Sequence, residues 1–339
     1  MMRTVLEKLL RREDLSHDEA RALMEAIVSG DASETQIAAV LIALRAKGET
    51  VEEIAGFVAV LRDKAIRVTP SRDGLVDTCG TGGDGTHTFN ISTAAAIVAA
   101  GAGVTIAKHG NRALSSKCGS SDVLEALGIR MVAPERVADV IDRTGIGFMF
   151  APAHHPALKH AAGVRRELGV RTVFNLLGPM ANPAFVKRQL VGVFDPALTE
   201  TVAHVLGTLG SEKVFVVHGA DGSDEVTVAG DTRVTALDNG RVTTFSFAPE
   251  SVGIERANAR ALTGGTPDEN ARTIVAILEG ARGARRDAVV LNAGFVITVA
   301  GQADSIADGV QLAAASIDEG RARDVLERLR AVTNELALT

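Results

Sequence analysis

The chain has 339 residues, 46% of them hydrophobic and 23% charged, with 36 Lys and Arg against 42 Asp and Glu for a net charge of -6. That length suits about two domains and a core that needs neither disulfides nor structural metal. The acid excess implies no general affinity for nucleic acid, and aromatics of 3%, all Phe, argue against base-stacking platforms. Cys79 and Cys118 are too few for a disulfide framework and cannot make a zinc site alone. Residues 1–8 lack the apolar core of a signal peptide, and the apolar run from Thr93 to Ala102 falls short of the roughly 20 residues that span a membrane. A cytoplasmic protein with no membrane and no nucleic-acid partner is expected.

Residues 3 to 66 read as helices joined by short polar segments. Ser16 precedes Glu19, Ser33 precedes Gln36 and Thr50 precedes Glu53, each by three residues, the spacing of a capping box. Behind these caps, Ile37, Val40, Leu41 and Leu44, then Ile54, Phe57, Val58 and Leu61, recur at helical spacing. Pro70 marks a boundary, so residues 1–70 are expected to form a small all-helical domain and 71–339 a large α/β domain. Strands are expected at Leu75 to Asp77, Val104 to Ala107, Gly147 to Ala151, Leu190 to Phe194, Val214 to His218, Val226 to Val228 and Val242 to Phe247. Helices are expected from Ser92 and from Ser120, and again, rich in Ala and Leu, from Pro267 onward.

The chemistry-bearing residues cluster after the expected strands. Gly80, Gly82 and Gly85 formally match the dinucleotide fingerprint, but no helix opens at that loop and no acid follows the second strand, which ends in Lys108-His109. A phosphate-binding Walker loop is excluded because no Gly-Lys-Ser/Thr follows. What remains is a glycine loop whose backbone amides can surround an anion. Asn90 or Ser92 could cap the next helix, whose start is itself an anion site because free amides and the positive end of the dipole meet there. Lys108, His109, Gly110, Asn111, Arg112, Ala113, Leu114, Ser115, Ser116 and Ser120 follow another strand. The three segments together suit a ligand with several phosphates. Asp224 and Glu225, again beyond a strand, suit the Mg²⁺ that such a ligand recruits. His154 and His155 are adjacent and lack a third ligand nearby, so zinc is disfavoured. Arg165, with the rigid segment through Gly178 and Pro179, suits a small aromatic carboxylate.

These residues, GTGGD at 80–84, NIST at 90–93, KHGNRALSS at 108–116, VRRELG at 164–169 and NLLGPMANP at 175–183, resemble the anthranilate phosphoribosyltransferase family, in order over about residues 3 to 335. The resemblance implies a nucleoside phosphorylase-like topology, in which helices from about 165–185 join the small domain in space. It implies transfer of phosphoribose from phosphoribosyl pyrophosphate to the amine of anthranilate, the second step of tryptophan synthesis from chorismate. Gly80, Gly83, Asp84, Thr88, Asn90, Ile91, Ser92, Thr93, residues 108–116 and Ser120 would then hold phosphoribosyl pyrophosphate. Ser92, Asp224 and Glu225 would serve two Mg²⁺ ions, and Gly80, His109, Asn111, His155, Arg165, Gly178 and Pro179 would line the anthranilate path. His109 is a candidate proton acceptor. Ser223 and Gly163 depart from the family pattern without removing a functional side chain. A homodimer through the small domain is expected, because its helices are too few and too apolar to stand alone and family members commonly pair there. A pyrimidine nucleoside phosphorylase, a type I phosphoribosyltransferase and an inactive nucleic-acid-binding relative remain as alternatives with poorer matches. Arg165 and Arg166 are neighbours on an expected helix and diverge by about 100°, so only Arg165 should face the pocket.

Overall fold

A computed structural model of the chain describes residues 1–112 and 117–337. It opens with helices α1 (Met2–Leu10), α2 (His17–Val28), α3 (Glu34–Lys47) and α4 (Val51–Asp63). All three expected capping boxes form, at Ser16, Ser33 and Thr50. Glu53 does more than close its box. Its Oε1 accepts the Leu15 amide at 2.8 Å and its Oε2 the Lys47 ammonium at 3.0 Å, while Lys47 also reaches Asp14 at 2.7 Å. Glu53 is fully buried, so one carboxylate ties the start of α4 to the end of α3 and to the α1–α2 joint. The apolar stripes of α3 and α4 face inward together.

The remainder alternates strand and helix: β1 (Val76–Gly80), α5 (Ile91–Gly101), β2 (Ile106–Gly110), α6 (Ser120–Ala126), α7 (Val137–Thr144), β3 (Ile146–Phe150), α8 (Ala151–His154), α9 (Lys159–Leu168), α10 (Phe174–Met180), β4 (Arg188–Gly192), α11 (Leu198–Thr208) and β5 (Lys213–Gly219). Strands β6 (Thr232–Asp238) and β7 (Arg241–Phe247) then form a hairpin, and α12 (Pro267–Leu278), α13 (Ala284–Ala300), α14 (Ile306–Asp318) and α15 (Arg321–Ala337) close the chain. The sheet runs β3-β2-β1-β4-β5-β6-β7, parallel through β5 and antiparallel beyond it. Helices α5, α13 and α15 cover one face, and α11, with α4 against it, covers part of the other. Helix α9 packs on α2 and α3, and α10 packs on α4.

Strand order reverses beside β1, where β2 lies on one side and β4 on the other. Such a switch point leaves a crevice beyond the strand ends, because the loops after β1 and β4 diverge to opposite faces. One sequence expectation needs correction. Val226 to Val228 is not a strand: Asn292 of α13 meets the Val226 backbone, accepting from its amide at 3.0 Å and donating to its carbonyl at 2.7 Å. A side chain thus takes the place of a sheet neighbour. The strand expected too early is replaced by β6, whose alternating Val234, Ala236 and Thr235, Leu237 pair with β5. Among the described residues, no helix is long and apolar enough to cross a membrane.

Candidate active site

The crevice is a cleft of about 380 Å³ lined from the ends of β1, β2 and β3, the start of α5, the α9–α10 segment and Asp224-Glu225. Its floor depends on two glycines on neighbouring strands. A Cβ at Gly80 would run into the Asp224 carboxylate, and one at Gly192 into the Asp224 backbone carbonyl. Glycine at both positions lets Asp224 come down between β1 and β4. Its Oδ2 accepts the Gly82 amide at 2.7 Å, and its own amide donates to Asp84 Oδ2 at 3.3 Å.

Past Gly80 the chain turns through Gly82, Gly83 and Gly85, with φ of +66°, +69° and +79°. These conformations suit residues without a Cβ. Thr81 anchors the loop by donating its amide to Gly192 O at 2.9 Å and accepting the Phe194 amide on its hydroxyl at 3.1 Å.

Helix α5 starts at Ile91 without a side-chain cap. Neither Asn90 nor Ser92 caps it, because Asn90 donates to Cys118 O at 3.3 Å and accepts from Asn270 at 2.9 Å. The Ser92 amide donates instead to Glu225 Oε1 at 3.2 Å. A carboxylate from a distant loop therefore sits at the positive end of this helix, where an anion is stabilised. The Asp224 and Glu225 carboxyls are both held above their usual range, first by burial and then by neighbouring carboxylates, Asp84 beside Asp224 and Asp224 beside Glu225. Crowded acids of this kind favour a cation among them.

Lys108 and Arg112 are already engaged within the protein. Lys108 is 2% exposed, and its ammonium donates to Thr78 O and to Ser92 Oγ. Arg112 pairs with Asp122 at 3.0 Å and Glu125 at 2.6 Å. Ile91 turns its side chain into the core, so the expectation that it binds ligand can hold only for its backbone. Ala113, Leu114, Ser115 and Ser116 lie outside the described residues. The remaining phosphoribosyl pyrophosphate candidates, Gly80, Gly83, Asp84, Thr88, Asn90, Ser92, Thr93, Lys108, His109, Gly110, Asn111, Arg112 and Ser120, all border the cleft.

The opposite wall carries His109, His155, Arg165, Gly178 and Pro179, as well as Leu61, Leu158, Phe174, Leu177 and Ala181. His109 Nδ1 lies 3.1 Å from Gly178 O, and since a carbonyl only accepts, Nδ1 carries the proton. Its Nε2 is buried and, among the described residues, has no partner. Burial first, and then neighbouring His155, push the His109 imidazole down to about 3. Burial pushes His155, whose ring centre is 5.2 Å away, down to about 4. Both rings are neutral at neutral pH. Arg165 stacks over Phe174 and, among the described residues, has no carboxylate partner, whereas Arg166 is exposed on the next face of α9. Beneath this wall Asp77, fully buried, accepts from Asn182 at 2.7 Å and from the His109 amide at 3.1 Å. Leu61 enters from α4 and His87 from the loop after Gly85, and nothing in the local sequence of either signals the cleft. Phe174 stands directly before the rigid 175–183 segment, the one cue available for it.

The α/β domain of the glycosyl transferase family matches residues 72–323, and its helical bundle domain matches residues 3–65. The anthranilate phosphoribosyltransferase of Moorella thermoacetica is 53% identical over 330 residues, covering 97% of each chain. The chain belongs to the anthranilate phosphoribosyltransferase family. The family's Symbiobacterium thermophilum member is 52% identical, covering 99% of this chain and 98% of its own. The crystal structure of the Thermus thermophilus anthranilate phosphoribosyltransferase superposes with a TM-score of 0.93 at 43% identity, covering 97% of this chain and 99% of that one. The Saccharomyces cerevisiae anthranilate phosphoribosyltransferase in complex with phosphoribosyl pyrophosphate and Mg superposes at 0.90 with 29% identity, covering 99% and 98%. The helical domain followed by an α/β domain is thus the architecture of the anthranilate phosphoribosyltransferase family, as the motifs implied.

Proposed function

We propose that this cleft transfers the phosphoribosyl group of 5-phosphoribosyl 1-pyrophosphate to the amine of anthranilate, giving N-(5-phosphoribosyl)anthranilate and pyrophosphate. This is the second step of tryptophan synthesis from chorismate. The observation that carries the reading is one cleft with two chemically different walls. On one side stand the glycine loop 80–85, the start of α5 and the Asp224-Glu225 pair; on the other, Arg165, without a carboxylate partner among the described residues, stands beside Phe174.

The donor wall takes phosphoribosyl pyrophosphate through Gly80, Gly83, Asp84, Thr88, Asn90, Ser92, Thr93, the backbone of Ile91, residues 108–116 and Ser120. Lys108 contributes from beneath, as the buried counter-charge to Glu225 and Asp77. As pyrophosphate departs from C1, charge builds on its bridging oxygen, and amides already fixed in place stabilise that charge better than mobile water would. Ser92, Asp224 and Glu225 would hold magnesium, two ions per site. The fit rests on the donors themselves: they are hard oxygens, and the crowded carboxyls stay above their usual range when nothing neutralises them. Among the described residues no group of three or more His, Cys, Asp or Glu encloses an ion by itself, so phosphate oxygens and water would complete the shell. Bound magnesium supplies neutralising charge to the leaving group.

Arg165 receives the anthranilate carboxylate, with Gly80, Asn111, His155, Gly178 and Pro179 around the ring. The amine attacks C1 directly, and no side chain forms a covalent intermediate. His109 Nε2, unprotonated and without a partner among the described residues, accepts the proton that the new N–C bond makes acidic.

Helices α1–α4, joined by α9 and α10, form the small domain over residues 1–70, and the large domain follows from 71 to 339. Exposed Leu10 on α1 and Ile42 on α3 support a homodimer through that domain. Light scattering at micromolar concentration should find a dimer, and a monomer would remove this part of the reading. The cytoplasm is the compartment that fits two buried free thiols. For the activity, protein mixed with Mg²⁺, phosphoribosyl pyrophosphate and anthranilate should consume the fluorescent acceptor and release pyrophosphate. No product under these conditions would overturn the assignment.

A further inference from the structure

We infer that Arg171, which lies outside the cleft and in none of its motifs, is a positioning residue that latches the glycine loop from behind. The inference rests on the reading of that loop as the pyrophosphate cradle. Arg171 sits between α9 and α10, in the segment that also presents Arg165 and Phe174 to the acceptor. Its Nη2 donates to the carbonyl of Gly83, and its guanidinium lies over the Phe194 ring, 4.1 Å from the ring centre. Among the described residues it has no carboxylate partner, so the loop carbonyl and the ring are what orient it.

Both contacts lead to the donor side. Phe194 follows β4, and its amide is the one that bonds Thr81 at the start of the glycine loop. On one side, Gly82 is fixed through its amide to Asp224. Gly83, the next residue, has positive φ and is exposed, so its carbonyl would be free to swing without Arg171. Holding that carbonyl fixes the direction of the Asp84 amide, which shares its rigid peptide plane. A planar guanidinium can stack and donate at once, which an ammonium cannot. The segment is itself stiff at this point: the Thr172 amide donates to Asn175 Oδ1 at 3.0 Å and the Asn175 amide to Thr172 O at 2.9 Å. Asn175 borders the cleft. Arg171 therefore joins the element that presents the acceptor to the loop that holds the donor.

The test compares wild type with Arg171→Ala, Arg171→Lys and Phe194→Leu. Calorimetry of phosphoribosyl pyrophosphate with Mg²⁺ on wild type comes first, and absence of binding there would overturn the cradle reading itself. With binding established, Arg171→Ala should raise the KM for phosphoribosyl pyrophosphate about 10-fold, the scale of one lost charge-assisted hydrogen bond, with kcat changed far less. The KM for anthranilate at saturating donor should stay as in wild type. Phe194→Leu, which keeps the cation but removes its platform, should move the donor KM in the same direction, and Arg171→Lys should fail to restore it. Amide exchange at Gly83 and Asp84 should quicken in Arg171→Ala before any ligand is added. An unchanged donor KM in Arg171→Ala would overturn the latch, as would full rescue by lysine with a silent Phe194→Leu, since charge alone would then explain the effect. A lowered melting temperature with unchanged donor KM and exchange would also overturn it.

Discussion

The Arg165 guanidinium lies over the Phe174 ring, 5.2 Å from its centre, and burial holds it below the usual arginine range. A cation so placed, with a ring on one face and open cleft on the other, is suited to one planar carboxylate. Arg165→Ala should weaken anthranilate use by about 10- to 100-fold, the worth of a bidentate charge-assisted contact, and leave the donor KM nearly intact. Arg166→Ala should be close to silent. Steady-state kinetics of the two variants decides this, and equal losses would show that the wrong arginine has been assigned.

The acidic pair offers a second test. Replacing Asp224 by Asn and Glu225 by Gln together should cut turnover by at least about 100-fold, because the fixed charge that organises magnesium is removed while the shape is kept. The double variant should melt at or above the wild-type temperature without Mg²⁺, since two mutually repelling buried carboxyls are gone. Turnover that follows the wild-type Mg²⁺ titration would refute the metal role.

Glu53 makes a stability prediction separate from catalysis. Its removal leaves Lys47 with Asp14 and the Gly48 carbonyl and strips the Leu15 and Thr50 amides of their acceptor. Glu53→Ala should cost about 3 kcal/mol, at the lower end for breaking a buried pair. Urea denaturation would show it, and activity per folded molecule should not change. A loss under about 1 kcal/mol would mean that Lys47 and the amides find other partners.

His109 and His155 set the acid side of the stability profile. Both imidazoles are depressed in the folded protein, to about 3 and about 4, while an unfolded chain protonates them near its ordinary 6.5. Their contribution is therefore fully present above pH 6.5 and is lost as pH falls towards the folded values. His109→Gln should flatten that decline between pH 6.5 and 4. With saturating Mg²⁺ and donor, kcat should show no histidine inflection between pH 6 and 8. An inflection there that disappears in His109→Gln would show that the resting ring titrates in that range, against its depressed value.

Much of the donor wall was legible because its chemistry is local in sequence. A run of glycines, a helix start and an acidic pair each announce themselves within a few residues. The strand order and the cleft between β1 and β4 were not, because position in a sheet depends on partners far along the chain. Lys108 and Arg112 read as ligand-binding cations, and the partners the fold supplies them, Thr78 and Ser92 for one and Asp122 and Glu125 for the other, lie too far along the chain, or depend too much on the fold, to be read from it. Val226 to Val228 had the composition of a strand, but its backbone is met by the side chains of Asn292 and Thr232 and by the Ala257 amide instead of a neighbouring strand. Leu61 reaches the acceptor wall only because α4 docks beside α10.

The bond between Gly82 and Asp224 spans 142 positions of chain, and that between Asp77 and Asn182 spans 105. Parallel pairing closes such long loops before any contact rewards the lost freedom. No short stretch of this polypeptide can carry a working half of the cleft, and a chain still emerging from the ribosome has no Asp224 to receive Gly82 until most of it has been made. Catalytic competence is consequently the last property to arrive, after the helices and most of their packing. On dilution from denaturant, helical signal should return before turnover does, with the interval set by completion of the sheet.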